Sequence, residues 1–235
     1  MEQEKIWDHY QNHEAMDNAS FGHAMARYRF FCDQACHCTP IDTGKVLNIG
    51  IGSGALETLL TKANREVYCL DPSERAIEGL RQKLGLGERA QSGFIQNIPF
   101  ADNMFDAVIV SEVLEHLTPE VGAAACREMA RVLKPSGRLL GSVPADEALS
   151  ANECVCPKCG EIFHRWGHVQ SFDTETLSEL LSQNFQAPSI RRTYFSDSAR
   201  LNWKGRIVLA FKQLSLRLGS RGSSDTFIFN TQPKR

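Results

Sequence analysis

The chain has 235 residues, 42% of them hydrophobic and 23% charged, which suits a moderate globular domain able to bury a sizeable core. Lys+Arg number 26 against Asp+Glu 28, a net charge of -2, which argues against a generally basic nucleic-acid binder. No uninterrupted apolar run approaches the ~20 residues of a bilayer span. The opening MEQEKIWDHYQNHE is polar and acidic, unlike a signal or transit peptide. A cytoplasmic location is expected.

Residues 1–41 read as a helical cap rich in aromatics and histidine, broken near Asp17–Gly22 and closed off by the turn-forming TPIDTG. Residues 42–145 alternate between two periods. KVLNIG is a buried strand, Ala55–Ala63 a helix, Glu66–Leu70 a strand, and Ser73–Leu84 a helix with Asp71 and Ser73 as caps. Phe105–Val110 is the next strand and Pro119–Leu133 the next helix. That helix stops at LKPSG, before the strand Arg138–Val143. Residues 146–170 stand apart as a Cys- and His-rich insert. Residues 171–235 then supply a helix around Leu177, Leu180 and Leu181 and two strands, Ser189–Tyr194 and Thr226–Asn230. Strands alternating with helices predict βαβ units and a doubly wound, mostly parallel α/β sheet.

The first strand runs into I-G-I-G-S-G. Gly50 and Gly52 allow a tight turn and a close ligand approach, and Gly54 permits close packing at the helix start. Asp71 ends the next strand about 20 residues on, where a carboxylate accepts both hydroxyls of a ribose. A nucleoside-type cofactor is expected. Dinucleotide folds use GxGxxG to bring a pyrophosphate to the helix N-terminus; the spacing here is GxGxG.

With these features, VLNIGIGSGALE, VYCLDPS, IPFADNMFDAVIVSEVLEHL and EMARVLKPSGRLLGSVP follow one another over Val46–Pro144. The chain thereby resembles the class I S-adenosylmethionine-dependent methyltransferases, closest to the small-molecule branch typified by ubiquinone-biosynthesis enzymes. The resemblance implies a Rossmann-like, seven-stranded sheet finished by an antiparallel pair, with an N-terminal lid over the acceptor. It implies that Gly50, Gly52 and Gly54 line the methionine end of S-adenosyl-L-methionine and that Asp71 holds the ribose. Phe94–Asn97 would border the adenine, and Ser111 and Glu112 would lie beside the cofactor. The family usually has an acidic residue where this chain has Asn48, near the cofactor's amino group. It often has Asp where Phe94 or Ile95 stands.

Methyl transfer from a sulfonium is an in-line displacement in which the protein aligns the acceptor and excludes water. The expected acceptor is a small molecule or sugar-like metabolite, methylated at oxygen. A hydroxyl needs a base, and His116 in EVLEHL, just past a strand end, is the candidate. A histidine that fixes the loop is the alternative. His9 and His13 share a helix face at i,i+4, a spacing that also suits a solvated surface. Two functional alternatives remain at this stage: a nicotinamide-dependent oxidoreductase using Gly50–Gly54 and Asp71, and a non-catalytic zinc-bearing interaction module.

The insert reads C-V-C-P-K-C-G-E-I-F-H-R-W-G-H over residues 154–168. CPxCG is a zinc-knuckle turn, and Cys156, Cys159, His164 and His168 would complete a closed, structural zinc shell, with Cys154 an alternative to one histidine. The short gap between the pairs leaves no room for a DNA-reading helix. Cys32-x3-Cys36-His37-Cys38 lacks the C-x3-C-x2-C spacing of radical iron–sulfur enzymes and reads as buried free cysteine. Residues 199–221 carry six Lys or Arg and no acid, interleaved with apolar residues. Such a helix either packs on the domain or contacts an anionic membrane or a phosphorylated acceptor.

Overall fold

The computed structural model describes residues 24–196, 201–217, 219–222 and 224–234. His9, His13 and the predicted break near Asp17–Gly22 lie outside the described residues. The elements in chain order are α1 (Ala24–Cys38), β1 (Lys45–Ile49), α2 (Ala55–Lys62), β2 (Glu66–Asp71), α3 (Glu74–Leu84), β3 (Ala90–Ser92) and β4 (Phe105–Ser111). There follow α4 (Pro119–Val132), β5 (Leu133–Pro144), β6 (Glu153–Val155), β7 (Ile162–His164), α5 (Thr174–Ser182), β8 (Ser189–Thr193), α6 (Trp203–Arg217) and β9 (Thr226–Thr231).

Seven strands form one sheet in the order β3-β2-β1-β4-β5-β9-β8. β1, β2, β3, β4 and β5 pair in parallel, and β9 runs antiparallel between β5 and β8. The strand order reverses between β1 and β4, so the carboxyl ends of these two strands form the switch point where open α/β sheets take their ligands.

Side chains on a strand alternate between the two faces of the sheet, and here both faces are buried. Leu47, Tyr68, Leu70, Val108 and Val110 meet Ala125, Met129 and Val132 of α4 and Leu177 and Leu181 of α5. Their neighbours Val46, Val67, Cys69, Ala107 and Ile109 meet Phe31 and Ala35 of α1, Leu56 and Leu60 of α2, and Ile77 and Leu80 of α3. Continuous apolar runs such as AVIV over residues 107–110 are the sequence trace of this double burial.

One boundary differs from expectation. β5 begins at Leu133, five residues earlier than the predicted Arg138. The residue before a proline is steered out of the α region, so Lys134 before Pro135 is extended, and Leu133 pairs with Phe105 ahead of a register shift. The cap of α5 is Asp173, whose side chain accepts from the Thr176 amide while its own amide donates to Thr176 Oγ1.

The insert is a two-stranded antiparallel hairpin of β6 and β7, with Glu153 opposite His164. CPKCGE forms its tip, where the Cys156 amide donates to Glu161 O and the Gly160 amide donates to Cys156 O. Its return segment is stitched to the main domain: the Val169 and Gln170 amides both donate to Glu115 O. Gln170 Nε2 donates to the carbonyls of Leu114 and Leu117.

Candidate functional site

The site begins at the turn between β1 and α2. Gly50 has φ 81°, and a Cβ there would stand 2.7 Å from Val113 Cγ2, so only glycine fits. Asp71, 2% exposed, ends β2 and supports that turn, its Oδ2 accepting from the Ile51 amide and its Oδ1 from the Ser73 amide, both at 2.9 Å. Tyr28 of α1 closes over the turn: a Cβ on Gly52 would lie 3.3 Å from its hydroxyl. Gly54, in a left-handed conformation, caps the start of α2.

Asn48 donates through Nδ2 to Glu57 Oε1 at 2.6 Å and to Gly50 O at 3.3 Å. Glu57 is fully buried, and that burial pushes its carboxyl up to about 7, against the lowering effect of the Asn48 bond. Its second oxygen, Oε2, has no hydrogen-bond partner. A carboxyl group thus stands directly behind the position where sequence reading found only an amide.

At the end of β4, Glu112 adopts φ 57°. Ser142 Oγ donates to Glu112 Oε1 at 2.8 Å and lies 2.9 Å from Ser111 Oγ. Glu112 Oε2 lies 3.8 Å from Arg27 Nη1 of α1. Phe94 is half exposed on the loop after β3, where the Gly93 amide donates to Asp71 O. Asn48, Gly50, Gly52, Gly54, Asp71, Phe94, Ser111 and Glu112 therefore collect at one end of the sheet, around the switch point.

Beyond Glu112, Leu114–His116 is a buried 3-10 turn. His116 Nδ1 lies 3.1 Å from Gly167 O, so Nδ1 carries the proton and Nε2 is left with its lone pair. Burial, then the neighbouring His168, pull the His116 pKa down to about 3. Burial favours the neutral ring, and its bond to Gly167 O ties the turn to the insert, as the alternative reading of His116 as a loop-fixing histidine expects.

The expected zinc ligands do not come together. Two sets of metal-ligating groups among the described residues bring one ligand atom each within 4.8 Å of the others: Glu115–His116–His168 and Glu147–His164–His168. Neither contains a cysteine, so Cys156 and Cys159 are not assembled with His164 and His168. The reason is the hairpin: its tip carries the cysteines, whereas His164 closes β7 at its base, two to three extended residues or about 7–10 Å away. His164 Nδ1 moreover accepts from the Trp166 and His168 amides, which fixes that ring as an organiser of the turn. Cys156 and Cys159 do meet each other, and hydrogen bonds from the Cys159 and Lys158 amides hold the Cys156 thiol below its ordinary value.

A methyltransferase-domain family model matches residues 47–141, from β1 through most of β5. The ubiquinone/menaquinone biosynthesis C-methyltransferase UbiE of Klebsiella pneumoniae is 31% identical over 178 residues, covering 68% of this chain and 68% of its own. This chain belongs to the class I S-adenosylmethionine-dependent methyltransferase family. An uncharacterized methyltransferase of Mycobacterium tuberculosis is 37% identical over 100 residues, and there the match spans 43% of this chain and 40% of the relative. Two solved structures share the fold, each with a TM-score of 0.64. The N-methyltransferase NodS of Bradyrhizobium japonicum with S-adenosyl-L-homocysteine is 16% identical and covers 99% of both chains. The Burkholderia thailandensis 1,6-didemethyltoxoflavin-N1-methyltransferase with S-adenosylhomocysteine is 15% identical, covering 99% of this chain and 87% of its own.

Membership of this methyltransferase family sets aside the nicotinamide alternative, and the site suits the family's methyl donor. A glycine turn that admits no Cβ at Gly50 lies beside a buried carboxylate at Asp71, with the orphaned Glu57 oxygen behind Asn48. Sequence reading missed Glu57, Tyr28 and Arg27. Glu57 leaves a trace in the sequence, a carboxylate in the first turn of the helix after the glycines. Tyr28 and Arg27 leave none, because only the packing of α1 across the turn brings them in.

Proposed function

We propose that the protein binds S-adenosyl-L-methionine at the carboxyl ends of β1, β2 and β4 and transfers its methyl group to a small-molecule acceptor. The observation that carries this reading is the pairing of the Gly50–Gly54 turn with Asp71, one residue of which ties both neighbouring loops. When bound, the donor supplies a methyl group on a positively charged sulfur. Asp71 would accept the ribose hydroxyls, the turn would border the methionine end, and Asn48 with Glu57 behind it would face the amino group. Glu112, tied to Arg27, would hold the β4 end beside the donor, while Tyr28 covers the turn and restricts water.

Oxygen is the acceptor atom we favour. A hydroxyl must lose its proton to react, whereas a neutral amine attacks through its lone pair, and the groups gathered past β4 are carboxylates and imidazoles. The reading is tested by incubating the protein with deuteromethyl-labelled donor and a panel of hydroxylated and phenolic metabolites. Mass spectrometry should show label on oxygen together with equimolar S-adenosylhomocysteine. Donor binding without turnover on any acceptor would instead favour a nucleoside-sensing interaction module.

A peripheral contact with an anionic lipid surface is proposed for α6. Trp203, Ile207, Phe211 and Leu214 are all exposed at helical spacing, and Lys204, Arg206 and Lys212 accompany them with no acidic residue. No helix among the described residues is long and apolar enough to cross a membrane. Cosedimentation with phosphatidylglycerol vesicles, lost in Trp203→Glu/Phe211→Glu and absent with phosphatidylcholine, is the expected result.

A further inference from the structure

We propose that Glu115, His116 and His168 form a site for one divalent cation of the first transition row, zinc or a close relative, between the 3-10 turn after β4 and the return segment of the hairpin insert.

The first observation is convergence. One ligand atom from each of the three side chains lies within 4.8 Å of the others. Glu115 Oε1 is 3.9 Å from His116 Nε2, and the His116 and His168 rings meet edge to face with centroids 4.6 Å apart. Ligand atoms around a bound zinc lie about 3–3.5 Å apart, so a modest turn of the Glu115 carboxylate closes the set. Two unlike segments, residues 114–117 and 167–170, are held together by the backbone and Gln170 bonds described above, so the ligands sit on a fixed frame.

The second observation is the state of the rings. A metal-binding histidine donates its other N–H to a carbonyl or carboxylate, which leaves the ligating nitrogen unprotonated and aimed. His116 does this with Gly167 O. His168 does it with Glu147, whose carboxylate meets His168 Nδ1 in a short contact. Both rings thus present Nε2.

The third observation points to a missing charge. Glu115 is 1% exposed, and neither of its carboxylate oxygens has a hydrogen-bond partner. A buried carboxylate without donors is strongly unfavourable. A bound cation is the partner this group lacks, and the imidazole–carboxylate donor set suits zinc, iron(II), cobalt(II) or nickel(II) over calcium or magnesium.

Three protein ligands leave at least one position open, as in sites where the metal takes a substrate and unlike closed structural shells. In the methyl-transfer reading that position would receive the acceptor oxygen. This extension rests on that reading, whereas the metal site does not.

The test uses the full chain carrying Cys156→Ser/Cys159→Ser, treated with chelator and titrated with cobalt(II) in the absence of any donor. The site predicts one cobalt per chain, with visible ligand-field bands and no thiolate charge-transfer band. Glu115→Gln and His168→Gln in the same background should each weaken binding at least tenfold. Glu147→Gln should weaken it tenfold or more by loosening His168. Circular dichroism and S-adenosyl-L-methionine calorimetry on each variant separate loss of the metal from loss of the fold or of the donor site. No cobalt bound in the Cys156→Ser/Cys159→Ser background, or binding that Glu115→Gln leaves as tight as before in a folded protein, overturns the proposal.

Discussion

Glu57 shows how a single residue changes the reading of a site. Its folded-state carboxyl titrates near 7 instead of the ordinary 4.5, because burial disfavours the charged form. The folded protein therefore holds this proton at pH values where the unfolded chain has released it. The associated stability is full below about pH 4.5 and is lost as pH rises through 7, a difference equivalent to about 3 kcal/mol at most. Glu57→Gln removes the titration, so thermal melts should show the variant gaining on the wild type from pH 5 to pH 8; equal differences at both pH values would contradict this. Gly50→Ala addresses the turn itself. Left-handed alanine costs about 1–2 kcal/mol, and the added Cβ meets Val113, so calorimetry should show donor affinity falling at least tenfold. The glycines and Asp71 were legible in the sequence because each needs only local chemistry: a positive φ, or a carboxylate at a strand end. Glu57 was harder to find because its role arises from burial behind Asn48.

At the scale of elements, period and punctuation located the helices and strands well. Ser73 was read as a cap, and its Oγ accepts from the Ala76 amide at the start of α3. Ser73→Ala should lower stability by about 1 kcal/mol in denaturant melts, with no change expected if the cap carried nothing. CPxCG and the two histidines looked like one shell on paper, because spacing along the chain says nothing of the hairpin that separates tip from base. Residues 156–160 form a hydrogen-bonded turn whose amides lower the Cys156 thiol. Burial, by contrast, pushes the thiols of Cys32 and Cys126 up to about 12. Timed alkylation with iodoacetamide at neutral pH should therefore label Cys156 well ahead of Cys32 and Cys126. Simultaneous labelling of all three would contradict the structure. The His116–His168 contact was also invisible to sequence, since 52 residues separate the partners and only the stitching of residues 167–170 onto the 114–117 turn unites them.

At the scale of the whole molecule, the doubly wound order and its switch point follow from the alternation of strands and helices, and the family adds the antiparallel insertion of β9 beside β5. That architecture concentrates chemistry at one end of the sheet: glycine turn, Asp71, Glu112, then the histidine cluster one turn further on. This end is the proposed S-adenosyl-L-methionine site, with Asp71 on the ribose. The most direct measurement is native mass spectrometry of the intact chain titrated with S-adenosyl-L-methionine, repeated on Asp71→Ala. The expected result is one bound donor per wild-type chain and a loss of at least tenfold in affinity in a folded variant, the consequence of removing a charged acceptor of ribose hydroxyls. No uptake by the wild type at millimolar donor, or equal uptake by Asp71→Ala, would contradict it.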